Sequence, residues 1–459
     1  MSQYTKYKLY KLQQRVSGSS DPWVDVIPTT YSYNANGTQT PVVVESASTD
    51  CGYVPPVEPI YEWRNIPISQ GYECDECPLT RWVASGYTCS GTTKMTKEIK
   101  QASYDSGTTW EDMVPEQSRA ALPVISYYST DCGYVPQYLT FVATESGTFK
   151  LSGNNINYSV DSGETWTQLP NNTDSPTVQA GSTIMWKASG LTSLNGVGTF
   201  SSSGKFDVEG NPMSLLFGDD FASQTSLIGK SSAFRSLFRG CTNLENAEDL
   251  LLPAITLESN CYSYMFEGCT NLTTTPKLIA TTLGFRCYFD MFKDCTSLTI
   301  APELPATTLA NGCYGYMFEG CTALTTPPEL PATTLASECY QSMFYNCTSL
   351  TTAPELPATT LATYCYGYMF RGCTSLTTAP ELPAETLANG CYSQMFYSCR
   401  SLNSITCLAT DISATNCTSN WVSGVASSGT FVMHTDMGTT WTRGVNGVPN
   451  NWTITSANS

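Results

Sequence analysis

The chain is poor in charge and nearly devoid of histidine. Charged residues make up 13% of its 459 residues, and His434 is the single histidine. One imidazole removes His-based triads, His general bases and His-rich zinc sites from the plausible chemistry. Basic residues are scarce too, with 22 Lys and Arg against 39 Asp and Glu and a net charge of −17. That balance argues against nucleic acid as a partner, because a phosphate backbone requires a Lys/Arg footprint. No run of about 18 apolar residues occurs, so no membrane insertion is expected. The opening "MSQYTKYKLYKLQQRV" lacks an apolar core of the secretory type, which predicts a product made in the cytoplasm without a signal peptide. Nothing in the sequence points to a cofactor.

What is present is repetition. Four nearly identical copies run "LTIAPELPATTLANGCYGYMFEGC" (298–321), "LTTPPELPATTLASECYQSMFYNC" (324–347), "LTTAPELPATTLATYCYGYMFRGC" (350–373) and "LTTAPELPAETLANGCYSQMFYSC" (376–399). Cys269, Cys295, Cys321, Cys347, Cys373 and Cys399 are spaced by 26 residues, and a second cysteine series from Cys261 to Cys391 keeps the same period. A fixed period of this length means one supersecondary unit stacked on itself. "SLTTAPEL" reads as a short extended segment. In "LATYCYGYMFRGC" the residues Leu361, Cys365, Met369 and Cys373 fall at i, i+4, i+8 and i+12, which predicts a helix. Stacking would bury Leu350, Leu356, Leu361, Met369 and Phe370.

Fifteen of the 20 cysteines lie in or beside this array. Within a unit the two cysteines are eight residues apart, about 12 Å along a helix, too far for a disulfide, whose Cα atoms lie within about 7 Å. Equivalent cysteines in adjacent units are close enough to pair, but pairing would break the regularity of the ladder. Buried thiols acting as small hydrophobes are the expectation. In the front half, "CDEC" (74–77) with Cys89 offers three ligands of a zinc site, or else free thiols or a local disulfide.

Residues 1–137 carry a duplication: "STDCGYVP" at 48–55 and 129–136, and "DPWVDVIP" (21–28) beside "TTWEDMVP" (108–115). Ser, Thr, Tyr and Gly dominate and helical periodicity is weak, which predicts β structure. A hairpin motif, Ser-x-Asp-x-Gly-x-Thr-Trp, occurs as "SYDSGTTW" (103–110) and "SVDSGETW" (159–166), and as "HTDMGTTW" (434–441) with His434 in first place. It resembles the Asp-box of sialidase propellers. Its logic is local: the Asp accepts turn amides, the Gly takes positive φ, and the Trp covers the turn. That makes it scaffold rather than chemistry. A sialidase would also need an arginine cluster, and the arginines here are scattered.

The expected fold is therefore α+β and mostly β. It comprises duplicated N-terminal β modules (1–137), a small β-sandwich with an Asp-box-like hairpin (138–212), a solenoid of 26-residue strand–helix coils (213–425) and a C-terminal β cap (426–459). The unit "MFxxCTSLTxAPxLP" resembles the BspA-like class of leucine-rich repeats. The resemblance implies a right-handed solenoid used for adhesion and surface recognition, not catalysis. The combination of the "YTKYKLYKLQ" opening, "SYDSGTTWEDMVPE" and the long array is similar to proteins of bacteriophages that infect gut Bacteroidetes, including crAss-like phages. That similarity implies a virion protein (fibre, appendage or decoration) on the particle exterior. The N-terminal modules would bind other virion proteins, the solenoid would bind a host cell-surface glycan or protein, and a homo-oligomer such as a trimer would be formed. Two alternatives are a BspA-like adhesin on a bacterial cell surface and, from the Asp-boxes alone, a glycan-degrading enzyme.

Comparison of the units with one another locates candidate sites. The "TAPELPATTLA" half barely changes. Substitutions gather in three columns: Gly312, Glu338, Tyr364 and Gly390; Tyr316, Ser342, Tyr368 and Gln394; Glu319, Tyr345, Arg371 and Tyr397. Positions free to vary are not core. Tyr316, Tyr345, Tyr364, Tyr368, Arg371 and Tyr397 are the candidate ligand-binding residues, since tyrosine supplies area and a polar tip at low entropic cost. The plainer reading is a set of solvated positions. A second row, Glu303, Glu329, Glu355 and Glu381 with Lys277 at its head, reads either as solvated carboxylates or as a weak Ca²⁺ ladder.

Overall fold

The computed structural model describes residues 137–188, 196–437 and 441–457, together with the backbone of seven strands between Tyr10 and Ala120. The chain is mostly β, with several sheets. It divides into two compact units, one of Met1–Tyr87 with Thr96–Ala121, the other of Thr88–Met95 with Leu122–Ser459.

Among the N-terminal strands, β1 (Tyr10–Val16) pairs antiparallel with β2 (Val24–Asp25) and β3 (Tyr61–Pro67). A further sheet joins β4 (Leu79–Ser90), β5 (Thr93–Ser103) and β6 (Glu111–Asp112), with β7 (Ser118–Ala120) also on β5. The duplicated motifs behave alike. Val24–Asp25 and Glu111–Asp112 occupy equivalent positions after Trp23 and Trp110, and each forms a two-residue antiparallel pair with an earlier strand. Both "STDCGYVP" copies, Cys74, Cys77 and Cys132 lie outside the described residues, as do the side chain of Cys89 and, beyond the backbone of Ser103, the 103–110 hairpin.

The next domain is an aromatic-cored β fold. One sheet has the order β11 (Thr167–Leu169), β10 (Ile156–Ser159), β12 (Thr183–Ala188), β8 (Leu139–Ala143), β14 (Phe206–Glu209), β15 (Leu244–Asn246). Strands β9 (Phe149–Ser152) and β13 (Thr199–Ser202) form a separate pair. Phe141 sits at the centre, with the rings of Phe149, Trp186, Phe200 and Phe206 at 4.8–5.4 Å. Its last neighbour, Phe238 at 5.8 Å, belongs to the first coil of the array. Parallel pairing of β14 with β15 likewise runs the sheet into that coil.

The repeat array is a stack of coils, but the predicted helices do not form. Among the described residues α-helix is confined to α1 (Ser214–Phe217). The "CYxxMFxxC" limb is instead a run of turns in which every fourth residue has positive φ. One column of such residues is Ser232, Asn260, Arg286, Gly312, Glu338, Tyr364, Gly390 and Asn416; a second is Ser236, Tyr264, Asp290, Tyr316, Ser342, Tyr368, Gln394 and Asn420. A third runs from Gly240 through Gly268, Asp294, Gly320, Asn346, Gly372 and Ser398 to Gly424. Backbone amides alternate in their use. Tyr340, Ser342 and Phe344 donate to Cys365, Gly367 and Met369 of the next coil at 2.8–3.0 Å. Cys339, Gln341 and Met343 donate three residues back along their own coil, to Ala336, Glu338 and Tyr340. Each amide thus finds a partner without an α-helix.

The extended limb departs from expectation for a related reason. Burial alternates through Pro302, Glu303, Leu304, Pro305 and Ala306 as in a strand. The prolines carry no N–H for a ladder, so only isolated bridges such as Thr352↔Thr378 form. A continuous strand, β16 (Ser404–Cys407), appears where "NSITCLA" replaces the proline-bearing sequence. It pairs parallel with β17 (Thr430–Met433), which pairs parallel with β18 (Thr453–Ser456).

Two aromatic ladders fill the stack. Phe238, Phe266, Phe292, Phe318, Phe344, Phe370 and Phe396 stack at 5.4–5.8 Å. Tyr262 to Tyr392 form the second ladder, which ends on Trp421 at 6.2 Å. Trp441 in turn stacks on Trp421 at 5.6 Å. Each such pair contributes about 0.5–1.5 kcal/mol beyond area burial. Leu350, Leu356, Met369 and Phe370 are buried as expected, with Leu361 at the edge of the core.

Candidate ligand-binding face

The variable columns run along the turn limbs, but not all of their positions lie outside the core as expected: Gly312, Ser342 and Gly390 are buried, whereas Tyr316, Tyr345, Tyr364, Tyr368, Arg371 and Tyr397 are half-buried. The positive-φ columns explain the variation. A left-handed residue favours Gly, Asn and Asp, and many coils use these, as at Asn260, Gly312 and Asn416. Tyr264, Tyr316, Tyr364 and Tyr368 adopt the same conformation at φ 52–61°. For a bulky side chain this conformation costs of order 1 kcal/mol.

Four of the six predicted residues meet. Tyr345, Arg371 and Tyr397 occupy equivalent positions of three successive coils. The Arg371 Cζ lies 5.3 Å from the Tyr345 ring centroid and 4.6 Å from that of Tyr397, with Tyr368 at 6.0 Å. Arg371 Nη1 donates to Gln394 Oε1 at 2.6 Å. Tyr364 stands in the adjoining column, its ring across Gly390, where a Cβ would meet ring carbon at 2.5 Å. Tyr316 belongs elsewhere. It packs on Phe289 at 5.1 Å with Lys293 Nζ 5.9 Å from its ring, and burial raises its phenol pKa.

Sequence reading missed the other half of this face. Arg235 and Arg239 lie over Tyr264 at 5.1 and 5.4 Å, and Arg286 lies over Phe285 and Phe289 at 5.0 and 4.7 Å. The signal was available, because Arg286 shares the column of Tyr364, Tyr264 that of Tyr368, and Lys293 that of Arg371. Charge is paired here: Arg239 with Glu267 at 2.7 Å, Lys293 with Glu319 at 3.2 Å, Arg286 with Glu338 at 3.2 Å. Asp290 is buried beside Lys293, and burial foremost raises its pKa to about 7.

The glutamate row behaves differently. Glu303, Glu329, Glu355 and Glu381 are all exposed on the extended limb. Among the described residues no group of three or more His, Cys, Asp or Glu is arranged to hold a metal ion.

The 159–166 hairpin shows what its motif does. Asp161 accepts the Thr165 amide at 2.9 Å and the hydroxyls of Ser159 and Thr165 at 2.6 and 2.5 Å. These bonds lower its pKa to about 2. Gly163 has φ 88°, and Trp166 Nε1 donates to its carbonyl. Lys187 Nζ caps the indole at 4.3 Å. Every polar atom of the carboxylate faces its own turn. In the 434–441 copy His434 Nδ1 takes the place of the Ser159 hydroxyl, accepting the Asp436 amide as Ser159 Oγ accepts that of Asp161.

The array cysteines are buried free thiols. Cys269, Cys295, Cys321, Cys347, Cys373 and Cys399 donate S–H to the carbonyl of the phenylalanine one coil back, at 2.9–3.2 Å. That carbonyl also accepts an amide three residues on, as Phe318 accepts Cys321. Burial pushes the thiol of Cys399 up to about 12.

Compared with family models, curated proteins and solved structures, the chain matches none. Among the described residues no helix is long and apolar enough to cross a membrane.

Proposed function

We propose that the chain is a non-enzymatic virion protein, a fibre, appendage or decoration, whose leucine-rich-repeat solenoid of the BspA-like kind binds a host surface. One observation carries the recognition half of this reading. Tyrosines occupy left-handed backbone positions at which sister coils of the same chain hold Gly, Asn or Ser in eight cases and polar Arg286, Asp290, Glu338 and Gln394 in the others, so these four tyrosines are the aromatic residues in the two columns. Folding alone would favour the smaller residues, so the tyrosines point to selection for a surface. The carrier, a phage particle, rests on the sequence resemblance. The inward-facing carboxylate of Asp161 favours scaffold over glycan cleavage for the hairpin motif.

The test is binding of the fluorescently labelled chain to intact gut Bacteroidetes cells, beside a Tyr364→Ala/Tyr368→Ala variant. Binding by the intact chain and at least tenfold weaker binding by the variant is expected. Equal binding by both would remove the tyrosine face from the reading.

A further inference from the structure

Column by column, the turn face handles its cations in two ways. At the position before the third left-handed residue the coils read Arg239, Glu267, Lys293, Glu319, Tyr345, Arg371 and Tyr397. The first four form two ion pairs, each cation next to a carboxylate one coil away. Arg371 breaks the pattern. Its column neighbours are tyrosines, and among the described residues no carboxylate pairs with it. In a chain with net charge −17 this cation is kept clear of acids.

A guanidinium has five N–H donors in one plane. Tyr345 and Tyr397 flank Arg371 along the stack, and one nitrogen donates to Gln394. Among the described residues its fork makes no other hydrogen bond. A carboxylate matches such a fork through two parallel hydrogen bonds. The surrounding Tyr345, Tyr368 and Tyr397 rings add flat amphipathic platforms suited to a polyhydroxylated ring. A peptide has less to hold here, because strand addition needs an open backbone edge. The amides of this limb are all engaged, alternately in their own coil and in the next.

We propose that Arg371, flanked by Tyr345 and Tyr397 and oriented by Gln394, binds the carboxylate of an acidic sugar in a surface polysaccharide. This rests on the adhesion reading above and narrows its ligand class from any glycan or protein to a carboxylated one. Arg371 supplies the charge and the fork; the tyrosines supply the stacking surface and exclude water from one side.

The experiment is ligand-observed NMR with the full chain, using methyl β-glucuronide, methyl α-galacturonide and methyl N-acetylneuraminide, each against its carboxyl-reduced counterpart. At least one acid is expected to bind, and its reduced form at least tenfold more weakly. Arg371→Gln should lose the same factor at an unchanged melting temperature, and Arg371→Lys most of it, since an ammonium lacks the fork. Affinity should fall as salt rises. Equal binding of acid and reduced forms would overturn the carboxylate assignment and leave the tyrosine face standing. So would competition by a polyglutamate peptide as strong as by the acids. If no sugar binds while the tyrosine variant still loses cell binding, this inference fails and the adhesion reading survives. Failure of the intact chain to bind cells or sugars would sink both.

Discussion

The guanidinium of Arg371 lies 4.6 Å from the ring centroid of Tyr397, one coil further along the stack. The same column holds Lys293 beside Glu319 at 3.2 Å. One structural position thus serves two purposes. In the earlier coils it neutralises charge within the chain, and in the later coils it leaves a cation among aromatic rings. The stack makes this separation possible, because each coil places its variable side chains over those of its neighbours while the buried ladders hold the spacing.

Face tyrosines and core tyrosines should respond differently to removal. Tyr364→Asn with Tyr368→Asn removes two rings but relieves two left-handed bulky residues, so the net change in unfolding free energy should stay within about 1 kcal/mol. Tyr366→Ala opens the buried ladder between Tyr340 and Tyr392 and should cost about 3–5 kcal/mol. Urea titrations of the three proteins compare them directly. A double variant as damaged as Tyr366→Ala would make the face tyrosines part of the scaffold.

The repeat, its period and its core positions were legible because identical units reveal their own alignment. The error over the helix has a physical cause. Leu361, Cys365, Met369 and Cys373 recur every 4.0 residues, whereas an α-helix turns once in 3.6. Three such steps would carry Cys373 about 120° away from Leu361 around a helix. A sustained four-residue period, with Gly or Asn recurring at Gly312, Gly320, Gly372, Gly390 and Asn416, was the mark of repeated turns. The failure of the extended limb to form a ladder was also readable, since Pro302 and Pro305 cannot donate. The Tyr345–Arg371–Tyr397 contact was legible only as a shared column, because the contact itself depends on how one coil sits over the next.

The array thiols should be inert in the folded protein. A thiolate is the reactive species, and burial raises the pKa of Cys295, Cys321, Cys347 and Cys373 far above the ordinary thiol value. Iodoacetamide followed by peptide mapping should leave these four unlabelled at pH 8, and label all of them once guanidinium unfolds the chain. A reducing agent should not shift the melting temperature of the array. Rapid labelling of Cys347 in the native protein would mean that its coil opens far more readily than a close-packed stack allows.

Asp290 should make the stack less stable as pH rises. Its carboxyl is buried in a left-handed position, with Lys293 Nζ at 3.7 Å and Glu267 and Glu319 adding negative charge nearby. Burial raises its pKa from 3.8 to about 7, Lys293 opposes that shift, and the two glutamates reinforce it. A folded-state pKa above the unfolded value means that the folded chain holds the proton more tightly. The contribution is therefore fully present below pH 3.8, declines as the unfolded carboxyl ionises, and is lost once pH passes through about 7. Asp290→Asn carries no such titration, and Asn suits positive φ, as at Asn420 of the same column. The variant should match the parent near pH 4 and exceed it at pH 8 by at least about 1 kcal/mol, the equivalent of one pKa unit. Urea midpoints at the two pH values measure the difference. A variant less stable than the parent at pH 8 would show instead that the ionised Asp290–Lys293 pair holds the coil together.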